Sequence, residues 1–252
     1  MPDFRVYCQP TEREPAEIRL SPDESHHLVA VNRCSRGDLV IAFDGRGREW
    51  ITECVEPGKN SALLRIRETR VAKPLPHEIT LAQALPKGAT MDDIVRQATE
   101  VGAACIVPLL SERSQVHLDG DRAGKKVEKW HTSAIEAAKQ CGNPWVPDIR
   151  PIQSFAAFVS SVRDYDLKLV ASLHAGTTTL KTALQLHRDK HAGARPRKAV
   201  WLVGPEGDFS PAEITAAITA GFQPITLGPL VLRSDTAAIY ALSILSYELQ
   251  SG

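Results

Sequence analysis

The stretch from Ala199 to Tyr240 limits most strongly what this chain can fold into. It holds two apolar runs of strand length, Ala199–Val203 and Pro224–Leu227, and each runs into a Gly-Pro pair, Gly204-Pro205 and Gly228-Pro229. Between them Ser210-Pro211-Ala212-Glu213 reads as a helix start. Ser210 suits the N-cap, Pro211 the first helical position, and Glu213 can reach back to complete a capping box. Ile214 and Ile218 then share a face, and Gly221 ends the helix. The order is strand, glycine loop, helix, strand, glycine loop, helix. Such a unit is expected to set both loops at the carboxyl ends of neighbouring parallel strands, the edge where open α/β sheets bind ligands. Gly204, Gly207 and Gly228 are expected to let the backbone approach that ligand closely.

The remaining chain divides into two parts. Residues 1–71 are rich in short β runs: Asp38–Phe43, Glu49–Val55 and Ala62–Ile66, with Asp44-Gly45-Arg46-Gly47 as hairpin chemistry between the first two. Ser21-Pro22-Asp23-Glu24 repeats the capping logic and opens a short helix through His27 and Leu28. The adjacent histidines have no metal-ligating neighbours in sequence and are expected to be structural. Val71–Pro76, with two prolines, reads as an extended linker over residues 72–76. From residue 77 to 252 strands and helices alternate. Ile79–Leu85, Cys105–Leu109 and Lys168–Leu173 read as strands. A helix opens at Thr90 with Ile94, Ala98 and Val101 on one face, and a long helix covers Val127–Cys141. Alternation of this kind predicts an α/β domain on a mainly parallel sheet.

Composition narrows the class. The 252 residues contain 30 basic and 30 acidic side chains, so any affinity for nucleic acid must come from local patches. Arg188, Lys190, Arg195, Arg197 and Lys198 cluster against a single Asp189 and read either as a solvated loop or as a phosphate contact. The five cysteines are scattered and form no Cys-x-x-Cys, which points to reduced thiols in a cytoplasmic protein, with no metal site. Neither a membrane-length apolar run nor a leader-like apolar segment is present. The last helix, Ser234–Leu249, is apolar around most of its circumference. Leu242 is expected on an outward stripe that meets a second subunit, with core burial inside one chain as the competing account.

Gly-Pro-Glu-Gly-Asp-Phe-Ser-Pro-Ala-Glu-Ile from Gly204, followed by Leu-Gly-Pro-Leu-Val-Leu-Arg-Ser-Asp-Thr-Ala from Leu227, resembles the C-terminal signature of the bacterial 16S ribosomal RNA (uracil-N3)-methyltransferases of the SPOUT class. Lys87-Gly88, Ile94–Gly102, Pro108–Ser114 and Glu136–Gln140 agree with that family in order and spacing, so the resemblance spans nearly the whole chain. It implies a C-terminal trefoil knot that holds S-adenosylmethionine, an N-terminal PUA-like β-barrel that binds RNA, a homodimer, and the 30S subunit as partner. The cofactor residues it implies are Leu173, His174, Val203, Gly204, Pro205, Glu206, Gly207, Leu227, Gly228, Pro229 and Leu232, with Leu202 and Leu230 also available to flank a purine. Arg5, Arg33, Arg36, Arg195 and Arg197 are candidates for RNA phosphates, because a guanidinium offers a planar set of donors.

Methylation at uracil N3 requires loss of the N3 proton, and the resulting charge spreads onto O2 and O4. A fixed cation there lowers the barrier. Arg233 is the candidate, with an ion pair to Glu206 or Asp235 as its structural alternative; Glu206 is the second catalytic candidate. Three departures from the family pattern stand out: Asp208 replaces a second glycine, Asp235 replaces a glutamate, and Asn143 replaces a frequent arginine. Two other readings are compatible with the loops. One is an enzyme holding a phosphorylated nucleotide at the Ser210 helix, although no Gly-x-x-x-x-Gly-Lys-Ser/Thr is present. The other is an RNA-binding assembly factor without turnover, which Asp208 would suit.

Overall fold

The computed structural model describes residues 4–10, 16–114, 120–173 and 176–250. They belong to two compact units, Met1–Pro74 with Ile135–Val146, and Leu75–Ala134 with Pro147–Gly252.

The first unit contains β1 (Phe4–Tyr7), β2 (Glu17–Arg19), α1 (Pro22–His26, continued by one π-helical turn to Val31), β3 (Leu39–Phe43), β4 (Arg48–Glu56) and β5 (Leu63–Val71). Its sheet runs β1-β3-β4-β5-β2, with β1 parallel to β3 and the other pairs antiparallel. The expected hairpin joins β3 to β4. Asp44 Oδ1 accepts from the backbone N–H of Arg46 at 2.7 Å and of Arg48 at 3.0 Å, an Asp-led turn. Gly47 takes φ +89°, and a Cβ there would lie 2.1 Å from the Trp145 ring, so only glycine fits. Alternate residues of the strands bury Val6, Ile18, Val40, Trp50 and Leu64 around Leu28. The buried Lys139 donates to Glu24 at 2.5 Å and to Glu136 at 2.7 Å, a pairing that a buried ammonium requires. Burial pushes the Cys8 and Cys34 thiols up to about 12, which keeps them protonated and unreactive.

The second unit contains β6 (Glu78–Ala84), α2 (Thr90–Val101), β7 (Cys105–Leu110), α3 (Gly120–Cys141, whose last turns belong to the first unit), β8 (Asp148–Ile149), β9 (Gln153–Ser154), α4 (Phe155–Ser161), β10 (Leu167–Ala171), α5 (Leu180–Lys190), β11 (Lys198–Val203), α6 (Pro211–Thr219), β12 (Gln223–Ile225) and α7 (Ser234–Gln250). All strand pairs are parallel, in the order β12-β10-β11-β6-β7-β8, with β9 also on β7. The central strands are apolar on both faces, as strands covered on both sides must be. Ala82, Val107, Val170, Val200 and Leu202 pack with Phe209 and Phe222 in one core. The capping box at Ser210 is present in full: Ser210 Oγ accepts from Glu213 N at 3.3 Å, and Glu213 Oε2 accepts from Ser210 N at 2.9 Å.

Three expectations are corrected. First, β11 and β12 are not neighbours, because the α6 crossover carries the chain past β10, which lies between them. Second, the basic run at 187–198 is not one loop. Its start forms the last turn of α5, where cations suit the helix C-terminus, and its end opens β11. Asp166 Oδ2 accepts from Arg197 N at 2.8 Å and Lys198 N at 2.9 Å, fixing that entry. Third, Leu242 is not on an outward stripe. It is 1% exposed, and α7 packs on α2, β6 and β11 of the same unit. The large hydrophobic side chains that α7 exposes are Tyr240 and Tyr247. Among the described residues, no helix is long and apolar enough to cross a membrane.

Candidate functional site

The loops after β10, β11 and β12 enclose a cleft that is open to solvent, at the edge of the sheet where α/β folds bind ligands. Ala171–Leu173 supply the end of β10, and Val203–Glu206 with Asp208 supply the β11 loop. The β12 loop gives Leu227, Gly228 and Leu230–Leu232, and α7 gives Ser234 and Ala237. The interposed β10 is what makes the cleft three-sided. Of the residues expected here, Leu173, Val203, Gly204, Pro205, Glu206, Leu227, Gly228, Leu230 and Leu232 line it. Gly207 and Pro229 are not in the lining, His174 lies outside the described residues, and Leu202 is fully buried in the sheet core. Leu202 differs from expectation because its side chain joins the α6-side core under β11.

The glycines have different jobs. A Cβ on Gly204 would lie 3.1 Å from Asp208 Cα and 3.2 Å from Phe209 N, so Gly204 lets the loop close on itself. A Cβ on Gly207 would meet Arg113 Cδ at 3.4 Å, away from the cleft lining. Of these three, only Gly228 combines a positive φ, +116°, with open space at the Cβ position. Asp208, in place of a glycine, takes φ +57°, which Asp tolerates better than most residues. It compensates by bonding: Oδ1 accepts from Phe209 N at 2.7 Å and Oδ2 from Leu173 N at 3.5 Å, tying the β11 loop to the end of β10.

Below the cleft the buried Ser234 Oγ donates to Gly204 O at 2.8 Å and accepts from Gln83 Nε2 at 3.0 Å. The start of α7 is thereby pinned beneath the β11 loop. Glu206 does not pair with Arg233; its Oε1 accepts from Lys87 N at 3.0 Å. Arg233 Nε lies 3.6 Å from Asp235 Oδ1, and its side chain is 81% exposed. In the first unit Arg5 pairs with Glu49 at 2.9 Å and stacks over Phe43, whereas Arg33 and Arg36 are exposed. Arg195 Nη1 donates to Leu249 O at 3.3 Å, and Arg197 is exposed.

Sequence reasoning missed Ser172, Val231 and Ala237 in the lining, Gln83 beneath it, and the carboxylate ties of Glu206 and Asp208. The signal for Ser172 was positional, since it follows β10 at the carboxyl edge. Nothing local marks Gln83 except a polar residue inside an apolar strand, where a buried amide needs partners.

A glycine-loop crevice at the carboxyl edge of a parallel sheet, in a chain that also carries a small β unit, is the architecture of a two-part α/β ligand-binding enzyme. Residues 73–246 match the RNA methyltransferase domain, and residues 20–67 match the RNA methyltransferase PUA domain. Ribosomal RNA small subunit methyltransferase E of Bacillus subtilis is 32% identical over 98% of this chain and 97% of its own length. The protein of the same name from Synechocystis is 31% identical over 98% of this chain and 78% of its own. The chain belongs to the ribosomal RNA small subunit methyltransferase E family. Among solved structures, the Neisseria gonorrhoeae member, bound to S-adenosyl methionine, aligns with a TM-score of 0.83 at 27% identity, covering 97% of each chain. A Legionella pneumophila protein described as a methyltransferase, in complex with the cofactor SAM, aligns at 0.86 and 33% identity, also over 97% of each chain.

Proposed function

We propose that the protein methylates N3 of a uridine in 16S ribosomal RNA, with S-adenosylmethionine in the three-loop cleft. The observation that carries this reading is the charge of the lining. Its described residues include Glu206 and Asp208 and no Lys, Arg or His. A cationic sulfonium with its ammonium suits such a wall, whereas a phosphorylated nucleotide would be repelled. Leu173, Leu227, Leu230, Val231 and Leu232 give apolar faces for a purine, and the loop backbones give its edge hydrogen-bond partners.

S-adenosylmethionine supplies a methyl group already activated by the sulfonium. The chain therefore has to position the acceptor, exclude water and stabilise charge on the uracil oxygens. Arg233, exposed at the foot of the β12 loop and only loosely held by Asp235, is the proposed stabilising cation. Glu206 acts by holding the β11 loop to Lys87. We propose a threaded, SPOUT-type knot at this point of the chain on the strength of the family match. Residues 1–71 serve as a PUA-like RNA-binding domain, joined through 72–76 to the methyltransferase domain at 77–252. In it Arg33 and Arg36 are better placed for phosphates than the paired Arg5. On the other domain Arg195 and Arg197 are the phosphate candidates. The exposed Leu230 and Val231 at the cleft rim, with Tyr240 and Tyr247, support a homodimer, in the cytoplasm where the 30S subunit assembles.

Two measurements test the reading. Calorimetry should show binding of S-adenosylmethionine and none of ATP or NAD. Labelled methyl should pass to unmodified 30S subunits and appear in 3-methyluridine. Binding without transfer would leave an RNA-binding factor, the role that Asp208 first suggested.

A further inference from the structure

A second cavity opens on the other side of the β11 loop. Lys87, Glu112, Arg113, Ser114, Glu206 and Gly207 line it, with about 830 Å³ of open space. These residues follow β6, β7 and β11, which are adjacent in the sheet. Three bonds lash their loops together. Lys87 N donates to Glu206 Oε1 at 3.0 Å, Glu112 N donates to Glu213 Oε1 at 2.9 Å, and Arg113 Nη1 donates to Gly207 O at 2.6 Å. Glu213 thus serves the α6 capping box with one oxygen and this cavity with the other.

The β11 loop therefore borders two openings at the carboxyl edge of the sheet, and they adjoin at Glu206, which lines both. Their chemistry differs. The first is aliphatic and acidic. The second mixes two cations, Lys87 and Arg113, with two carboxylates, Glu112 and Glu206. A phosphate would meet repulsion from those carboxylates. The edge of a uracil carries an acceptor, a donor and an acceptor in a row, at O2, N3–H and O4, and it matches a mixed set of donors and acceptors.

We propose that this second cavity seats the target uracil. The proposal rests on the methyltransferase reading above and adds to it the acceptor subsite and a proton acceptor. The Lys87 ammonium and the free N–H groups of Arg113 hold the carbonyl oxygens. The Glu112 carboxylate accepts the N3 proton. The N3 lone pair then forms the N–CH₃ bond, the C–S bond pair returns to sulfur, and neutral S-adenosylhomocysteine leaves. Glu112 passes its proton to water. Arg233 lines neither opening, so its proposed part is to offset the developing charge from the cleft mouth rather than to bond these oxygens.

Lys87→Met and Glu112→Gln test this cleanly, because the bonds that lash the loops use the backbone N–H at both positions and survive substitution. Both variants should bind S-adenosylmethionine within about twofold of wild type by calorimetry. In single-turnover methylation of 30S subunits, Glu112→Gln should fall by about 10²-fold or more, the scale for losing a general base. Its deficit should shrink as pH rises, because N3 then ionises without help; a merely structural role would not produce that narrowing. Lys87→Met should be slowed about tenfold. If both variants transfer methyl at wild-type rates, or if the Glu112→Gln deficit stays constant with pH, the subsite is refuted while the function stands. A wild-type protein that neither binds S-adenosylmethionine nor methylates 30S subunits removes the function and the subsite together.

Discussion

Gly228→Val is the sharpest test of the cofactor cleft. Residue 228 has φ +116°, and nothing lies within 4 Å of where its Cβ would be. The folded protein can therefore accept a side chain without collision, and the cost is backbone strain of about 1–3 kcal/mol. The turn is held locally: Thr226 Oγ1 accepts from Gly228 N at 3.1 Å and donates to Gly228 O at 3.2 Å. Two exposed bonds of this kind contribute about 1–2 kcal/mol together, comparable to the strain, so the turn relaxes rather than the domain unfolding. Relaxation displaces the rim from Leu227 to Leu232. If the strain must be restored on binding, 1–3 kcal/mol becomes a loss of about 5- to 150-fold in affinity. Gly228→Ala bears the same φ with less bulk and should fall at the lower end. Calorimetric titration with S-adenosylmethionine reads the affinity, and a thermal melt should show Tm within a few degrees of wild type. A folded Gly228→Val protein that binds with unchanged affinity would remove the β12 loop from the cofactor site.

Arg233→Ala should keep its fold and bind S-adenosylmethionine within about tenfold, because its side chain is exposed. Its single-turnover methyl transfer should drop about 10²-fold, and a near-normal rate would reassign the charge stabilisation. Leu242→Glu places a carboxylate on the buried face of α7, which packs on α2, β6 and β11, at a cost of several kcal/mol. The expected product is insoluble or unfolded protein, and a well-folded monomer would contradict the packing. Asp166 is held below the usual carboxylate range by the backbone N–H of Lys198 first and of Arg197 second. A depressed carboxylate contributes stability above its unfolded pKa and loses it as pH falls through the folded value. Asp166→Asn should therefore lose less stability than wild type on acidification, read as urea midpoints from neutral pH downward. Parallel profiles would show that the anchor of β11 is not ionic.

The sequence by itself determined whatever depends on neighbours a few residues apart. The N-cap at Ser21, the capping box at Ser210, the Asp44–Gly47 hairpin, the alternation of strands and helices, and the two Gly-Pro loops follow from local hydrogen bonding and apolar periodicity, which are short-range. A positive φ at Asp208 was also foreseeable from its place in a glycine pattern. Only the tertiary structure decided that β10 lies between β11 and β12, because strand order depends on where each crossover packs and adjacent windows of sequence do not encode it. The same long-range packing turned Leu242 inward, gave Gly204 to loop closure, and put Lys139 between two carboxylates. It also brought Lys87, Glu112 and Arg113, more than 90 residues before Gly207, to the far side of the β11 loop through the bond from Arg113 to Gly207 O. Lys87-Gly88 and Pro108–Ser114 were visible as segments of a family pattern. Their shared cavity exists only because β11, β6 and β7 are adjacent and end at one edge of the sheet.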